Sequence, residues 1–116
     1  MIKSITVAHR KTGLTREEYN KYWEEEHGPL AARLFPGLRK YVQNHLVEVP
    51  GMEFEGDGLV EMWWDDVEAF QNSMKFMRTE AGKPLAEDGA KFAEMRPGAG
   101  IWIVEEHVIK DEISPK

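Results

Sequence analysis

The sequence predicts an α+β domain of ferredoxin-like type: β-α-β-β-α-β, with helices covering one face of a four-stranded antiparallel sheet. Three observations lead there. Residues 2–10, 39–49, 59–64 and 100–108 alternate with the period of two that marks a strand. Between Thr15 and Leu34, and between Asp65 and Phe92, apolar residues instead recur every three to four positions. The strand segments are also apolar on both sides, more than two helical limbs on one face can cover.

The first strand places Ile5, Val7 and His9 on one side and Ile2, Thr6 and Ala8 on the other. After the Lys11-Thr12-Gly13 turn, Thr15 and Glu18 have capping-box spacing, and Leu14 and Tyr19 are placed as a hydrophobic staple. The inner stripe of the helix that follows is Tyr19, Tyr22, Trp23, His27, Leu30 and Leu34. Gly28-Pro29 is expected to interrupt it, because proline has no N–H and disfavours helix in the preceding residue. Pro36-Gly37 turns into the second strand, on which Tyr41, Gln43, His45 and Val47 alternate with Val42, Asn44 and Leu46. A polar connection from Pro50 to Gly58 leads to the third strand. There Leu59, Glu61 and Trp63 alternate with Val60, Met62 and Trp64.

Asp65 with Glu68 is read as the next N-cap, starting a helix with Val67, Phe70 and Met74 inward. Gly82-Lys83-Pro84 breaks it, and Pro84 suits the first turn of another helix presenting Leu85, Asp88 and Phe92. Pro97-Gly98 ends that helix. Gly100 to Val108 is the last strand, and residues 111–116 form a frayed tail after a domain of residues 1–110.

With 116 residues there is room for one domain, and four Trp, five Phe and three Tyr argue against disorder. The net charge of −6 argues against nucleic acid or an anionic membrane as partner. No apolar run is long enough to span a membrane, and the N-terminus lacks a signal peptide's apolar stretch, so a cytoplasmic location is expected. The absence of cysteine removes disulfides and thiolate chemistry. No His-x-His, His-Glu-x-x-His or glycine-rich phosphate motif occurs, so neither metal nor cofactor is expected.

If Tyr41, His45 and Glu61 meet the helices, then Ile2, Val42, Leu46, Val60, Met62, Trp64, Trp102 and Val104 are left bare. That exceeds the apolar patch usual on a monomer and predicts a homodimer through the open sheet face. A slip of one residue in strand phase would exchange the two faces.

Chemistry is expected around His27, an ionisable ring on an apolar helix stripe beside the Gly28-Pro29 break. That position suits a general acid or base, and equally a core histidine bonded to a free helix carbonyl. Tyr41, Gln43 and His45 share one strand face, where they either polarise an oxygenated ligand or satisfy one another, with Glu61 as a neighbour. Asp88 lies on the inner side of the last helix, or caps it. Trp23, Trp63 and Phe92 belong to an aromatic set that is core or lines a pocket for a flat apolar ligand. His9 and His107 are expected at the surface.

The segments WEEEHGPL at 23–30, PGLRKYVQNH at 36–45 and EMWWD at 61–65, with DDVEAF opening the next helix, resemble the EthD family. The resemblance covers nearly the whole chain and implies a dimeric α+β barrel. In lactone isomerases of that superfamily, a histidine ending the first helix and a tyrosine on the second strand line the site. Those roles fall on His27 and Tyr41, while Asn44 and His45 belong to the family's motif. The implied activity is that of a cofactor-independent dehydratase, isomerase or cyclase acting on a small cyclic or aromatic oxygenated compound, in a catabolic or polyketide-like pathway. His27, Tyr41 and His45 would be catalytic, and Trp23, Gln43, Asn44, Glu61, Trp63, Asp88 and Phe92 would bind the substrate. The alternatives are a cofactor-free monooxygenase of the same fold and a non-catalytic dimeric ligand-binding protein.

Overall fold

The computed structural model describes residues 1–94 and 100–113. Its strands are β1 (Ile2–Ala8), β2 (Lys40–His45), β3 (Gly58–Trp64) and β4 (Ile101–Val104). Between β1 and β2, α1 (Arg16–Tyr22) runs through a π turn (Trp23–His27) into α2 (Gly28–Leu34). Between β3 and β4 lie α3 (Val67–Phe76), a 3-10 turn (Glu80–Gly82) and α4 (Lys83–Phe92). The sheet order is β2-β3-β1-β4 with every pairing antiparallel, the arrangement expected from the β-α-β-β-α-β order. The predicted helix end at Pro97-Gly98 and residues 114–116 of the tail lie outside the described residues, while Asp111, Glu112 and Ile113 are exposed.

Local signals account for most element boundaries. The Thr15 N–H donates to Glu18 Oε1 at 2.9 Å and the Glu18 N–H to Thr15 Oγ1 at 3.1 Å, closing the capping box. Leu14 packs against the Tyr19 cluster, completing the staple. The cap of α3 is Asp66, whose carboxylate accepts from Ala69 N–H at 2.8 Å; Asp65 pairs with Arg39 instead. Gly28-Pro29 does not end the first helical limb. Pro29 occupies the first turn of α2, where its missing N–H costs nothing, and the Gly28 N–H reaches back five residues to the Trp23 carbonyl. The paired strands are shorter than the alternation. β2 stops at His45 because its partner β3 begins at Gly58, directly opposite, and β4 pairs only along Lys3–Thr6.

Register decides which residues share a face. Ser4 pairs with Met62, Thr6 with Val60, Tyr41 with Met62 and Gln43 with Val60. Trp64 is wholly buried between Phe35, after α2, and Phe70 of α3, and its indole N–H donates to Ser4 Oγ at 3.1 Å. Val60, Met62 and Trp64 therefore meet the helices, together with Tyr41, Gln43 and His45. This corrects the expectation that Val60, Met62 and Trp64 lie bare, and with them Ile2, which stands opposite Trp64 in register. The open face carries Ile5, Val42, Leu59, Trp63, Trp102 and Val104 around a polar centre. There Lys3 Nζ sits 2.7 Å from Glu61 Oε2 and 2.8 Å from Glu106 Oε2, and Asn44 Nδ2 donates to Glu61 Oε1 at 2.9 Å. Glu61 thus stands on the opposite face from Tyr41 and His45. A strand apolar on both sides reveals its period but not its phase; here packing of the Trp64 indole and the Lys3–Glu61 pair set it.

Trp64→Ala should lower stability by about 3–5 kcal/mol, since it empties the largest site under α2 and α3. Urea denaturation followed by far-UV circular dichroism reads this directly. A loss below about 1 kcal/mol would show that Trp64 does not anchor the sheet to its helices.

Candidate active site

A cavity of about 350 Å³ lies between the helix face of the sheet and the layer formed by α1, the π turn and α4. Its wall is mostly apolar, with Trp23, Val60, Met62, Leu85 and Phe92, and the side chains that bring chemistry to it include His9, His27 and Tyr41. The aromatic part is one packed cluster. The Phe92 ring lies 5.2 Å from that of Tyr19, 5.1 Å from that of Tyr22 and 4.9 Å from that of His27. Trp23 stacks on His45 at 4.8 Å. Trp23 fits so close to the sheet because residue 58 is glycine: a Cβ there would come within 2.9 Å of the indole.

His27 closes the π turn and leans toward α4, where its Nδ1 lies 2.9 Å from Asp88 Oδ2. The Tyr22 hydroxyl donates to the other carboxylate oxygen, so both oxygens of Asp88 are engaged. Burial alone would push the Asp88 carboxyl up, but the Tyr22 and His27 hydrogen bonds outweigh it and hold the group below its usual range. Tyr22 is correspondingly pushed up to about 12, chiefly by its bond to Asp88. An ionised Asp88 makes Nδ1 the protonated nitrogen of His27. The neutral ring then carries its lone pair on Nε2, the arrangement a general base needs.

Tyr41 lines the cavity from β2. Its hydroxyl oxygen accepts from Gln43 Nε2 at 3.2 Å, and the same amide donates to the Trp23 carbonyl at 2.8 Å. Burial pushes the phenol up, opposed by hydrogen bonding from Gln43 and Trp23. A wider, more open groove of about 510 Å³ runs outside β2 past Glu24, Pro29, Gln43 and His45. Tyr41 lies between the groove and the cavity.

The family follows from a match over most of the chain: residues 11–96 fit the EthD domain. The chain belongs to the EthD family. It is similar to an EthD family protein from Bacillus halodurans, at 28% identity and a TM-score of 0.65 over 92% of this chain and all of that one. A dimeric protein of unknown function and ferredoxin-like fold from Bacteroides fragilis superposes with a TM-score of 0.59 at 13% identity, covering 90% of this chain and 95% of the other. SnoaB, a cofactor-independent oxygenase from Streptomyces nogalater, superposes with a TM-score of 0.55 at 12% identity, covering 97% of each chain. No curated protein matches in sequence.

In this EthD domain, Trp23, His27, Tyr41 and Phe92 meet at one cavity, and Asp88 joins them through His27. His45 and Gln43 stand one layer outward in the groove, with His45 Nε2 on Gln43 Oε1 at 2.9 Å. Asn44, Glu61 and Trp63 do not reach the cavity; they sit on the other face of the sheet with Lys3. His9, expected at the surface, is buried and lines the cavity. Tyr22, which its spacing puts on the inner stripe of the helix, holds Asp88 through its hydroxyl, a role the stripe does not announce. The signal for its role was Asp88, a carboxylate spaced between Leu85 and Phe92 on an apolar stripe, which needs a buried donor. Among the described residues, no three His, Asp or Glu side chains cluster closely enough to hold a metal ion, and no helix is long and apolar enough to cross a membrane.

Asp88 also links the site to acid stability. Its carboxyl is depressed in the folded chain, so its contribution is fully present above the unfolded value near pH 4 and is lost as pH falls through the folded value. Asp88→Asn should therefore be less stable than the parent at pH 6, with the gap narrowing toward pH 2. Equal gaps at both pH values, read by thermal melts, would show that Asp88 is not ionised against His27.

Proposed function

We propose that this EthD domain is a cofactor-independent acid/base enzyme acting on a small cyclic or aromatic oxygenated compound. The reaction would be a dehydration, isomerisation or cyclisation, within a catabolic or polyketide-like pathway in the cytoplasm. The observation that carries this reading is the His27–Asp88 pair at 2.9 Å, with the imidazole on the wall of an apolar cavity that Tyr41 also lines. Asp88 holds the tautomer, His27 Nε2 takes a proton from carbon or oxygen, and the Tyr41 O–H stabilises the oxyanion that develops. Low polarity around both groups strengthens that bond relative to water. Tyr22 keeps Asp88 in place. His45, outside the cavity, assists only through Gln43.

The test is deuterium exchange at the acidic C–H of small cyclic 1,3-diketones and acylphenols, followed by proton NMR in heavy water. The wild-type chain should accelerate exchange for at least one member. His27→Ala should lower that rate by about 10²- to 10⁴-fold, the usual worth of a general base. No acceleration across the panel, or equal rates in both proteins, would refute the acid/base reading. The likeness to SnoaB and the indole in the cavity favour a cofactor-free oxygenase as the second reading, and oxygen uptake with a quinol substrate would identify it.

The open sheet face supports a homodimer, as does the fold shared with a dimeric protein. Trp102 is 53% exposed and Leu59 39% exposed on this face, beside Val42 and Val104. Pairing two copies removes this area from water, with Lys3, Glu61 and Glu106 as a polar centre that fixes register. Sedimentation at micromolar concentration should give twice 13.4 kDa, and Trp102→Glu should return the mass to 13.4 kDa. A monomeric wild type would refute the dimer.

A further inference from the structure

We infer that Gln43 is a positioning residue that locks Tyr41 as a hydrogen-bond donor, so that the site selects ligands presenting an acceptor oxygen. The inference rests on the proposed function only for the use made of that oxygen; the lock itself is a property of the free protein.

The direction of every bond in the chain is forced from one end. The Trp23 carbonyl can only accept, and the Gln43 terminal atom 2.8 Å from it must therefore be the amide nitrogen. With that orientation settled, the second amide N–H reaches the Tyr41 oxygen at 3.2 Å, and Gln43 Oε1 faces His45 Nε2 at 2.9 Å. His45 is thus protonated on Nε2. The Tyr41 oxygen already receives a donor, and no acceptor among the described residues lies against its own O–H. That proton is left for a ligand on the surface Tyr41 lines, the cavity on one side and the groove on the other. A ketone, enolate, phenolate or carboxylate oxygen satisfies it, whereas a ligand group that can only donate does not.

Two backbone features make the lock possible. The π turn leaves the Trp23 carbonyl bonded to the Gly28 N–H and placed to accept the Gln43 amide as well. Glycine at 28 gives Gln43 its space: a Cβ there would lie 2.6 Å from Gln43 Nε2 and 2.9 Å from the Trp23 oxygen. Gly28→Ala should therefore act at Tyr41 without touching it, by displacing the Gln43 amide.

The test is the titration of Tyr41 in the full chain, labelled with ¹³C at tyrosine Cζ and assigned with Tyr41→Phe. Removing a donor from the phenolate should raise its midpoint by about one pH unit in Gln43→Leu and in Gly28→Ala. Gln43→Glu should raise it further, because a carboxylate accepts the Tyr41 proton. If Tyr41 titrates at the wild-type pH in Gln43→Leu and Gly28→Ala while both remain folded, Gln43 is only a strut between β2 and the π turn. If those variants fail to fold, Tyr41→Phe decides. One side-chain amide proton of Gln43 should then shift upfield relative to wild type, and two unmoved amide protons would overturn the inference. Because no substrate is used, failure here is separate from failure of the exchange assay.

Discussion

The hydrogen bond from the Gly28 N–H to the Trp23 carbonyl, five residues back, holds together more of this molecule than its size suggests. It carries the first helical limb past Pro29 without a break, so α1 and α2 act as one cover for the sheet. It also ends the turn at His27, whose ring then lies against α4 near Asp88 and Phe92. The same carbonyl accepts the Gln43 amide and so ties the turn to β2. A π turn of this kind is a common device where a helix must present functional groups at a non-standard angle.

Around that turn, the two ends of the site are built differently. His27 is oriented by a carboxylate that Tyr22 holds at its other oxygen, a charged arrangement that sets a tautomer. Tyr41 is oriented by a neutral amide, which sets the direction of a proton without placing another charge in the cavity. Asp88 and Gln43 do not themselves line the cavity, whose wall is mostly hydrocarbon and aromatic. The sheet separates this chemistry from the polar centre of Lys3, Glu61 and Glu106 on its other face. Association through the open face would therefore leave His27 and Tyr41 untouched.

Much of this was legible along the chain. The Thr15–Glu18 box, the stripe from Tyr19 to His27 and the alternation of Tyr41, Gln43 and His45 are local patterns, and each appears in the fold as its spacing dictates. The phase of β3 was not legible, because Glu61-Met62-Trp63-Trp64 gives each face an aromatic ring. The fit of Trp64 between Phe35 and Phe70, with the Lys3–Glu61 pair on the other face, distinguishes them. The cap at Asp66 rather than Asp65 is a similar case, since two adjacent aspartates offer the same side chain and Arg39 draws one of them away.

By itself, the sequence determined the order of strands and helices, the two-sided character of the sheet and the candidacy of His27 and Tyr41. Periodicity and capping act within a few residues and survive without knowledge of neighbours. Tertiary structure alone decided that Asp88 is the partner of His27 across 61 positions, that Tyr22 completes that pair, and that Glu61 belongs to the opposite face. It also turned an expected break at Gly28-Pro29 into a continuous limb. These outcomes depend on which distant groups meet in a low-dielectric interior, where each polar atom must find a partner, and no local pattern encodes that meeting.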